Sequence, residues 1–502
     1  MKLDPQKTAL LTLDTLIRKD GHRIMSRTHS EGLEPGAWQI LAVAMLGPFM
    51  SQMDSTVVNV SLSFIKQELR STIASAQWVV SGYLLALALM LPLNAWLVAR
   101  LGAKRLYLIC FCSFTLASFL CGAATTMPEL IGARLIQGMA GGLLAPLAQL
   151  MVARVAGRQF ARVLGYAAVP ILLAPLVGPI LAGTILKYLG WPWLFYINLP
   201  VGILAVVLAA WILPRDKPAT QKRPFDLTGF LIISPGLVCL LYGLEQLSHG
   251  DIRVLVLGLV LLGVFLRHAH RKKSKALIDI ELFKIRDFST AATTQFLASG
   301  IMYGGQFLIP LFLLTGCSLT ATQTGWILGS MGVGMLCVYP CMGYLTDRFG
   351  CRAVASGGVL LNFLGTLPFL WMAFDGFSMA PALIGLFVRG MGQGATGIPS
   401  MAAAYASVPR EKLSLATMAV NIVQRLGAPT ITTVIAITVS LSANVTSASA
   451  HAFLIPFAAL IMLQLLVLAA ARRLPVRIHQ EADSSKAAIS APGQPAVRAE
   501  SA

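Results

Sequence analysis

The chain has 502 residues, of which 56% are hydrophobic and only 12% are charged, whereas soluble domains carry about 25% charged residues. So few charges exclude an ordinary soluble enzyme, because its polar residues could not cover its surface. The formal net charge of +18 comes from short basic clusters between long apolar stretches, as in the cytoplasmic loops of membrane proteins, so we expect no nucleic-acid partner.

The N-terminal segment, residues 1–36, is polar and basic and has no sustained apolar run. It lacks the pattern of a cleavable signal peptide, so we expect the first membrane span to direct insertion. Residues 6–20 place Leu10, Leu13 and Ile17 near one helical face. That pattern suits either a cytoplasmic helix on the membrane surface or a disordered segment.

Apolar stretches long enough to cross a bilayer as helices recur along the rest of the chain. Fourteen spans are predicted, at 37–62, 77–99, 105–124, 128–153, 162–186, 193–213, 227–247, 252–268, 288–314, 322–345, 353–374, 380–404, 414–442 and 452–471. The final segment, 476–502, is rich in Ala, Ser, Pro and charged residues without an apolar period, which predicts a disordered tail.

An even number of spans places both termini on one side of the membrane, and charge decides which side. The loops after even-numbered spans are rich in Arg and Lys, as at 271–273. The opposite loops carry only Lys66, Arg70, Lys187 and Arg253. Because basic loops stay on the cytoplasmic side, both termini are predicted to be cytoplasmic in a multi-pass protein of the cell (inner) membrane.

The first span carries an acidic residue, Asp54, in an otherwise apolar helix, where a single charge costs at least about 2.5 kcal/mol to insert. Ser51, Ser55 and Asn59 form a polar stripe beside it, which should line water or the interior of a bundle. Burial favours the protonated form of a carboxyl group. Asp54 is therefore a candidate proton carrier with Asn59 nearby, and a structural hydrogen bond between helices is the alternative.

One face of the fourth span combines a cation, an amide and small residues. Arg134, Gln137, Gly138 and Gly142 fall at i, i+3, i+4 and i+8, on one side of a helix. The glycines allow a neighbouring helix to approach closely. Arg134 is a candidate interior cation, and an arginine that extends to the membrane interface is the alternative.

The fifth span carries Pro175, Gly178, Pro179 and Gly183 along one helical stripe. Prolines bend a helix and free backbone carbonyls, and small residues let the helix pack tightly against a neighbour. The pattern predicts a bent, closely packed helix.

An internal repeat divides the chain. The segment 97–102 is echoed at 345–350, and Arg134 is echoed by Arg389, at offsets of about 250 residues. The pattern predicts two pseudo-symmetric six-helix bundles, at 37–213 and 288–475, with two inserted helices in the linker 214–287. Parallel repeats suit a carrier that binds its substrate between the halves.

These motifs resemble the major facilitator superfamily, specifically its fourteen-span drug:proton antiporters of the EmrB/QacA type. The superfamily loop signature G-x-L-x-D-R-x-G-R is matched by Gly343, Leu345, Asp347, Arg348, Gly350 and Arg352. Its N-terminal copy keeps Arg100 and Gly102 but has Ala99 where the acid usually stands.

Three further segments carry the same resemblance. Residues 53–60 are similar to the first-span pattern of these antiporters, and residues 191–202 resemble W-R-W-x-F-x-I-N-x-P-x-G with Pro192 in place of Arg. Residues 178–183 resemble the antiporter signature G-P-x-x-G-G with Ala182 in place of Gly.

The resemblance implies an antiporter that exports lipophilic, often cationic, drugs or metabolites in exchange for protons by alternating access. It assigns Arg134 a part in proton transfer beside Asp54, a gating role to the two loop motifs, and an export role to the fifth-span motif. An importer or symporter on the same fold is one alternative. A transport-inactive receptor or scaffold is another, because Ala99 replaces the motif acid.

The sequence shows no nucleotide-binding loop, metal-ligand cluster or Ser/His/Asp arrangement, so we expect no catalytic residues, no metal and no cofactor, with the proton gradient as the energy source. The expected partners are a small-molecule substrate, protons and lipid. A periplasmic adaptor is a further partner that the sequence leaves open.

Overall fold

A computed structural model describes residues 36–156, 160–214, 216, 224–247, 252–272, 276–445 and 450–476. These residues form fourteen helices, some of which continue through a short 3₁₀ or π turn. In chain order they are α1 (Ala37–Glu68), α2 (Ile73–Met90 and, after Leu91–Leu93, Asn94–Leu101), α3 (Ala103–Ala123), α4 (Met127–Ala156), α5 (Phe160–Tyr188), α6 (Trp193–Tyr196 and Asn198–Ile212), α7 (Leu227–Gln246), α8 (Arg253–Lys272), α9 (Arg286–Leu311, extended by Phe312–Gly316), α10 (Ala321–Val338, extended by Tyr339–Cys341), α11 (Met342–Asp375), α12 (Met379–Ala406), α13 (Leu413–Val445) and α14 (Leu454–Ala471).

Each predicted span coincides with a helix. Ten described stretches are long and apolar enough to cross a membrane, and one of them, Gln323–Asp375, covers two spans. The fold is therefore all-α and membrane-integral, as predicted. The proposed surface helix at 6–20 and the disordered tail, apart from residue 476, lie outside the described residues.

The two halves repeat the same backbone irregularities. A 3₁₀ turn surrounds Pro92 in α2 and another surrounds Pro340 after α10. Gly102 has φ 84° and Gly350 has φ 82°, a left-handed conformation that glycine adopts without steric cost. The chain thus builds two pseudo-symmetric six-helix bundles, α1–α6 and α9–α14, with α7 and α8 inserted between them. The residues at which each half ends stay predictions.

In each half, a basic side chain of the loop motif donates hydrogen bonds to backbone carbonyls at or just after the end of the last helix of that half. Lys104 Nζ donates to the carbonyls of Ala210 and Leu213 at 2.7 and 2.6 Å. Arg352 Nε donates to the Leu474 carbonyl at 2.6 Å. Carbonyls at a helix C-terminus lack intrahelical partners, so Lys104 stabilises the end of α6. Arg352 binds the chain just after the end of α14. We call the end of the bundle that carries both motifs the basic end.

The inserted helices are held together by Asp226, which lies just before α7. Its carboxylate accepts from the Gly229 amide at 3.0 Å and from Lys272 Nζ at 2.8 Å, and lies 3.0 Å from His268 Nε2. Burial raises the pKa of Asp226, but the hydrogen bonds from Lys272 and His268 outweigh burial and hold that pKa below its usual value. The ionised carboxylate therefore joins α7 to the end of α8.

The insert contacts both halves. Ser234 of α7 donates to the Leu89 carbonyl of α2 at 3.0 Å. Thr433 of α13 donates to the Leu244 carbonyl of α7 at 3.3 Å. Helix α7 of the inserted pair therefore packs along the boundary between the two bundles.

Candidate functional site

A buried ionic cluster lies where α1, α4 and α6 meet. Asp54 is 1% exposed and Arg134 is fully buried. Arg134 Nη1 donates to Asp54 Oδ2 at 2.5 Å. Gln137 Nε2 and Asn198 Nδ2 donate to Asp54 Oδ1 at 3.1 and 2.8 Å. Both carboxylate oxygens therefore have partners from other helices.

The guanidinium of Arg134 is positioned by further contacts. Its Nε donates to the Val79 carbonyl of α2 at 3.1 Å, and its Nη1 also donates to Gln137 Oε1 at 2.7 Å. The Tyr83 ring lies 4.1 Å from the guanidinium carbon, a distance that suits a cation–π contact. Nη2 has no hydrogen-bond partner in the described structure.

Ser118 of α3 links the two amides of the cluster. Its Oγ accepts from Gln137 Nε2 at 2.7 Å and from Asn198 Nδ2 at 3.4 Å. Each amide thus bridges Ser118 and the carboxylate, which fixes the amide orientation. The arrangement makes Asp54 an acceptor of three hydrogen bonds within a polar network of four helices.

The chemistry of such a cluster follows from its burial. Two opposite charges attract strongly in a medium of low dielectric constant. Each charge has also lost its hydration, so removal of one charge leaves the other buried and unpaired, which destabilises the protein. A proton added to Asp54 would remove the negative charge and leave Arg134 as an unbalanced cation. The ion pair therefore joins α1 to α4.

The structure brings three of the four predicted residues into contact, namely Asp54, Arg134 and Gln137. Asn59 does not join them, and its side chain is exposed. Successive helical residues are rotated by about 100°, so Asn59, five residues after Asp54, points about 140° away. Asn198 takes the expected place. Its signals in the sequence were an amide within an apolar span and the asparagine of the motif at 191–202.

The glycine face of α4 sets its distance from α2. A Cβ atom on Gly142 would lie 2.5 Å from the Leu87 carbonyl oxygen, and one on Gly138 would overlap the Tyr83 carbonyl oxygen. A larger side chain at either position would push the helices apart. The small residues therefore allow Arg134, one turn earlier, to reach the Val79 carbonyl.

Only part of the predicted motif of α5 packs closely against another helix. A Cβ atom on Gly178 would lie 2.9 Å from Thr56 Cγ2 of α1. Gly183 is exposed and faces open space, because the five residues after Gly178 rotate it to another face. Pro175 and Pro179 lie in the same helix, and their side chains fall outside the described part of the structure.

The first loop motif obtains an acid from a distant part of the chain. Asp216, after α6, accepts from the Lys104 amide at 2.8 Å and lies 3.5 Å from Arg154 Nη1. It also lies against Gly102, where any side chain would overlap it. Arg100 lies over the Trp96 ring. Asp216 therefore binds the N-terminus of α3 although Ala99 carries no acid.

In the second loop motif, the adjacent residues Asp347 and Arg348 interact with different partners. Arg348 Nη1 donates to Tyr344 Oη at 2.6 Å. Asp347 instead faces the charge of Arg162 on α5 of the other half, because adjacent residues on a helix do not face each other. Gly343 packs directly on the backbone of Arg162, so the motif contacts the first bundle.

The two halves also meet through a polar contact at the basic end. Gln149 Oε1 of α4 accepts from Asn421 Nδ2 of α13 at 2.7 Å and from Tyr405 Oη of α12 at 3.1 Å. The Tyr405 ring packs edge-on against Phe160 of α5 at 5.1 Å. The basic end of the interface is therefore closed in this structure.

This arrangement of two similar helical bundles, with an ionic cluster in one of them, has counterparts among known proteins. The family model described as Major Facilitator Superfamily matches residues 44–432. The chain belongs to this superfamily of membrane transporters. It is 33% identical over 410 residues to the "Multidrug resistance protein B homolog" of Mycobacterium tuberculosis H37Rv, an alignment that covers 80% of this chain and 76% of the relative.

Solved superfamily structures share the fold. The human organic anion transporter MFSD10 superposes with a TM-score of 0.60 at 15% identity, covering 87% of this chain and 99% of the other. The proton:xylose symporter XylE superposes with a TM-score of 0.62 at 14% identity, covering 90% of this chain and 99% of the other. At these identities the similarity concerns the fold alone.

In this superfamily member the second half retains the buried cation without the acid. Arg389 of α12, the repeat partner of Arg134, is fully buried. It donates to Thr366 Oγ1 at 2.7 Å and to the Ile301 carbonyl at 3.0 Å. Gly305 of α9 lies against its guanidinium, where any side chain would overlap it. Among the described residues of the second bundle, no carboxylate binds Arg389.

Proposed function

We propose that the protein is a proton-driven efflux transporter of lipophilic molecules. The observation that carries the proposal is the Asp54–Arg134 pair, fully buried among α1, α4 and α6. Ionisable residues inside membrane spans are costly and are retained where they serve transport or proton relay. Asp54 is the only carboxylate in the described interior, away from helix ends, and it is therefore the proton-binding group.

The name of the mycobacterial relative, a multidrug resistance protein homologue, supports export of drug-like molecules. The close packing of Gly178 on α1 is consistent with the antiporter-like motif of α5. Together they favour export over import.

The orientation follows from charge. With the basic end on the cytoplasmic side of the cell (inner) membrane, both termini are cytoplasmic. The Gln149 contacts with Tyr405 and Asn421 then close the cytoplasmic entrance, and the structure corresponds to an outward-facing state.

In the transport cycle, the substrate and the proton bind in turn. In the inward-facing state ionised Asp54 favours substrate binding. In the outward-facing state a proton binds Asp54, weakens its bond to Arg134 and promotes substrate release. Return of the protonated protein delivers the proton to the cytoplasm. Coupling needs only that each ligand prefer a different state.

The test compares Asp54→Asn with Asp287→Asn, which removes an exposed acid at the start of α9. A susceptibility panel in a pump-deficient host first identifies a transported dye. Purified protein in liposomes is then given a pH gradient, and dye movement is followed by fluorescence. We expect Asp54→Asn to abolish gradient-driven transport and Asp287→Asn to retain it.

Each alternative has its own outcome in the same assay. Gradient-driven transport by Asp54→Asn at the wild-type rate would exclude Asp54 as the proton site. Dye movement in the same direction as the protons would identify a symporter. Absence of transport for every compound in the panel would favour a receptor or scaffold.

A further inference from the structure

Charges inside the described helices do not balance. Away from helix ends and the loop motif at Gly350, the side chains of these helices that are not fully exposed include one carboxylate, that of Asp54, and three guanidinium groups, those of Arg134, Arg389 and Arg425. Asp54 is already bound to Arg134. Two positive charges therefore remain without a carboxylate in the described interior.

The two remaining arginines differ in their surroundings. Arg389 is fully buried inside the second bundle and is held by Thr366 and the Ile301 carbonyl, so no ligand can reach it. Arg425 of α13 is partly exposed. Among the described residues it forms no hydrogen bond or ion pair.

Arg425 lies between the two halves. Its charge interacts with Tyr83 of α2, in the first half, and with Tyr303 of α9, in the second. It follows Asn421, which binds Gln149 across the closed basic end, by one helical turn. Leu413 begins α13, and 1.5 Å per residue places Arg425 about 18 Å along it, near the middle of a bilayer about 30 Å thick.

We propose that Arg425 recognises the substrate and that the molecules carried are lipophilic anions, such as aromatic carboxylates or sulfonates. The proposal rests on the transport function proposed above and specifies its substrate class. A guanidinium stays charged at any physiological pH, and its planar donors match carboxylate and sulfonate oxygens. An unpaired cation in a membrane interior is costly, and a bound anion offsets that cost.

The surroundings of Arg425 suit an aromatic anion. The Tyr303 side chain is 47% exposed, which leaves a ring face for apolar contact. The neighbouring Gln424 is already bonded to Gln295 at 3.0 Å, so Arg425 is the group left to bind charge. A cationic substrate would meet a like charge here, which disfavours the cationic class that the sequence resemblance implies.

Two dyes with one skeleton test the proposal. 1-Anilinonaphthalene-8-sulfonate carries a sulfonate, and N-phenyl-1-naphthylamine is the neutral counterpart. Binding is measured by fluorescence to the full-length protein in nanodiscs, after subtraction of empty discs. We expect Arg425→Gln to weaken sulfonate binding about tenfold and to change neutral-dye binding less than twofold. Arg425→Lys should retain part of the sulfonate affinity, and Arg267→Gln, at an exposed position of α8, should change neither.

Other outcomes overturn the proposal. Equal loss of both dyes in Arg425→Gln would assign the residue a structural role, and unchanged binding would exclude it from the site. If Arg425→Gln does not fold, the wild-type protein decides, and preference for the cationic dye rhodamine 6G over the sulfonate rejects the proposal.

The assay is at equilibrium without a pH gradient, so it separates the two proposals. Asp54→Asn should keep the preference for sulfonate while losing gradient-driven transport. Retained transport in Asp54→Asn would reject the proton site and leave the anion site standing. If Asp54→Asn loses transport and the wild-type protein shows no preference for the sulfonate, the anion site is rejected and the proton site is retained.

Discussion

Asp54 and Arg134 depend on each other for stability as well as for function. The carboxylate accepts from Arg134, Gln137 and Asn198, and the arginine has no other carboxylate within the described structure. Asp216 likewise pairs with a group that is distant in sequence, because it accepts a hydrogen bond from the Lys104 amide at the first loop motif. In both cases the partner is distant in sequence, and a substitution acts on both members of the pair.

At this scale we expect Asp54→Asn to destabilise the protein, because it leaves Arg134 as an unpaired buried cation. Loss of one partner from a buried pair costs about 3–5 kcal/mol, and the amide oxygen of Asn should offset part of it. The double variant Asp54→Asn/Arg134→Gln removes both charges and should unfold at a higher temperature than Asp54→Asn. Thermal unfolding in detergent measures both, and equal midpoints for Asp54→Asn and wild type would contradict the prediction.

Glycines at particular turns, which have no side chain, set how closely neighbouring helices pack in this fold. Gly142 lies against the Leu87 backbone of α2, whereas nothing lies within 4 Å of a Cβ atom built on Gly132 in the same helix. The same contrast separates Gly178 and Gly183 on α5. A glycine pattern in the sequence therefore marks two different situations, which only the neighbouring helix distinguishes.

The matched pair on α4 makes this testable. Gly142→Ala should lower stability by about 1–3 kcal/mol, the usual cost of overpacking, and should reduce transport. Gly132→Ala should be neutral or stabilise the protein by about 0.4–1 kcal/mol, because alanine restricts the unfolded chain. Unfolding midpoints and dye efflux are the measurements. Equal behaviour of the two variants would show that α4 and α2 are not in close contact.

Across the whole molecule, the two halves are joined at the basic end by the hydrogen bonds of Gln149 with Tyr405 and Asn421. These contacts must break if the interface is to open on that side. In the proposed transport cycle the protein alternates between two such states, and hydrogen bonds that exist in only one state contribute to the balance between them.

We therefore expect Gln149→Ala to shift the population towards opening of the basic end. Two lost hydrogen bonds of about 1 kcal/mol each would change the ratio of states roughly tenfold or more. Distances between spin labels on α5 and α12 at the basic end measure the shift, in a variant without exposed cysteines. Gln67→Ala, at an exposed site near the end of α1, is the control. Unchanged distances in Gln149→Ala would show that these bonds do not hold the interface closed.

The sequence by itself determined the membrane class, the fourteen spans and the repeat, and it identified Asp54 and Arg134 as candidate interior charges. Hydropathy, charge distribution and repeats are local properties of the chain and need no knowledge of which helices touch. Only the tertiary structure decided that Asn198, not Asn59, completes the cluster and that Asp216 binds at the first loop motif. It also showed that Arg425 has no hydrogen-bond or ion-pair partner among the described residues. Asp54 and Asn198 are 144 residues apart, and Lys104 and Asp216 are 112 apart. Contacts at such separations depend on helix packing and rotation, which no local pattern specifies.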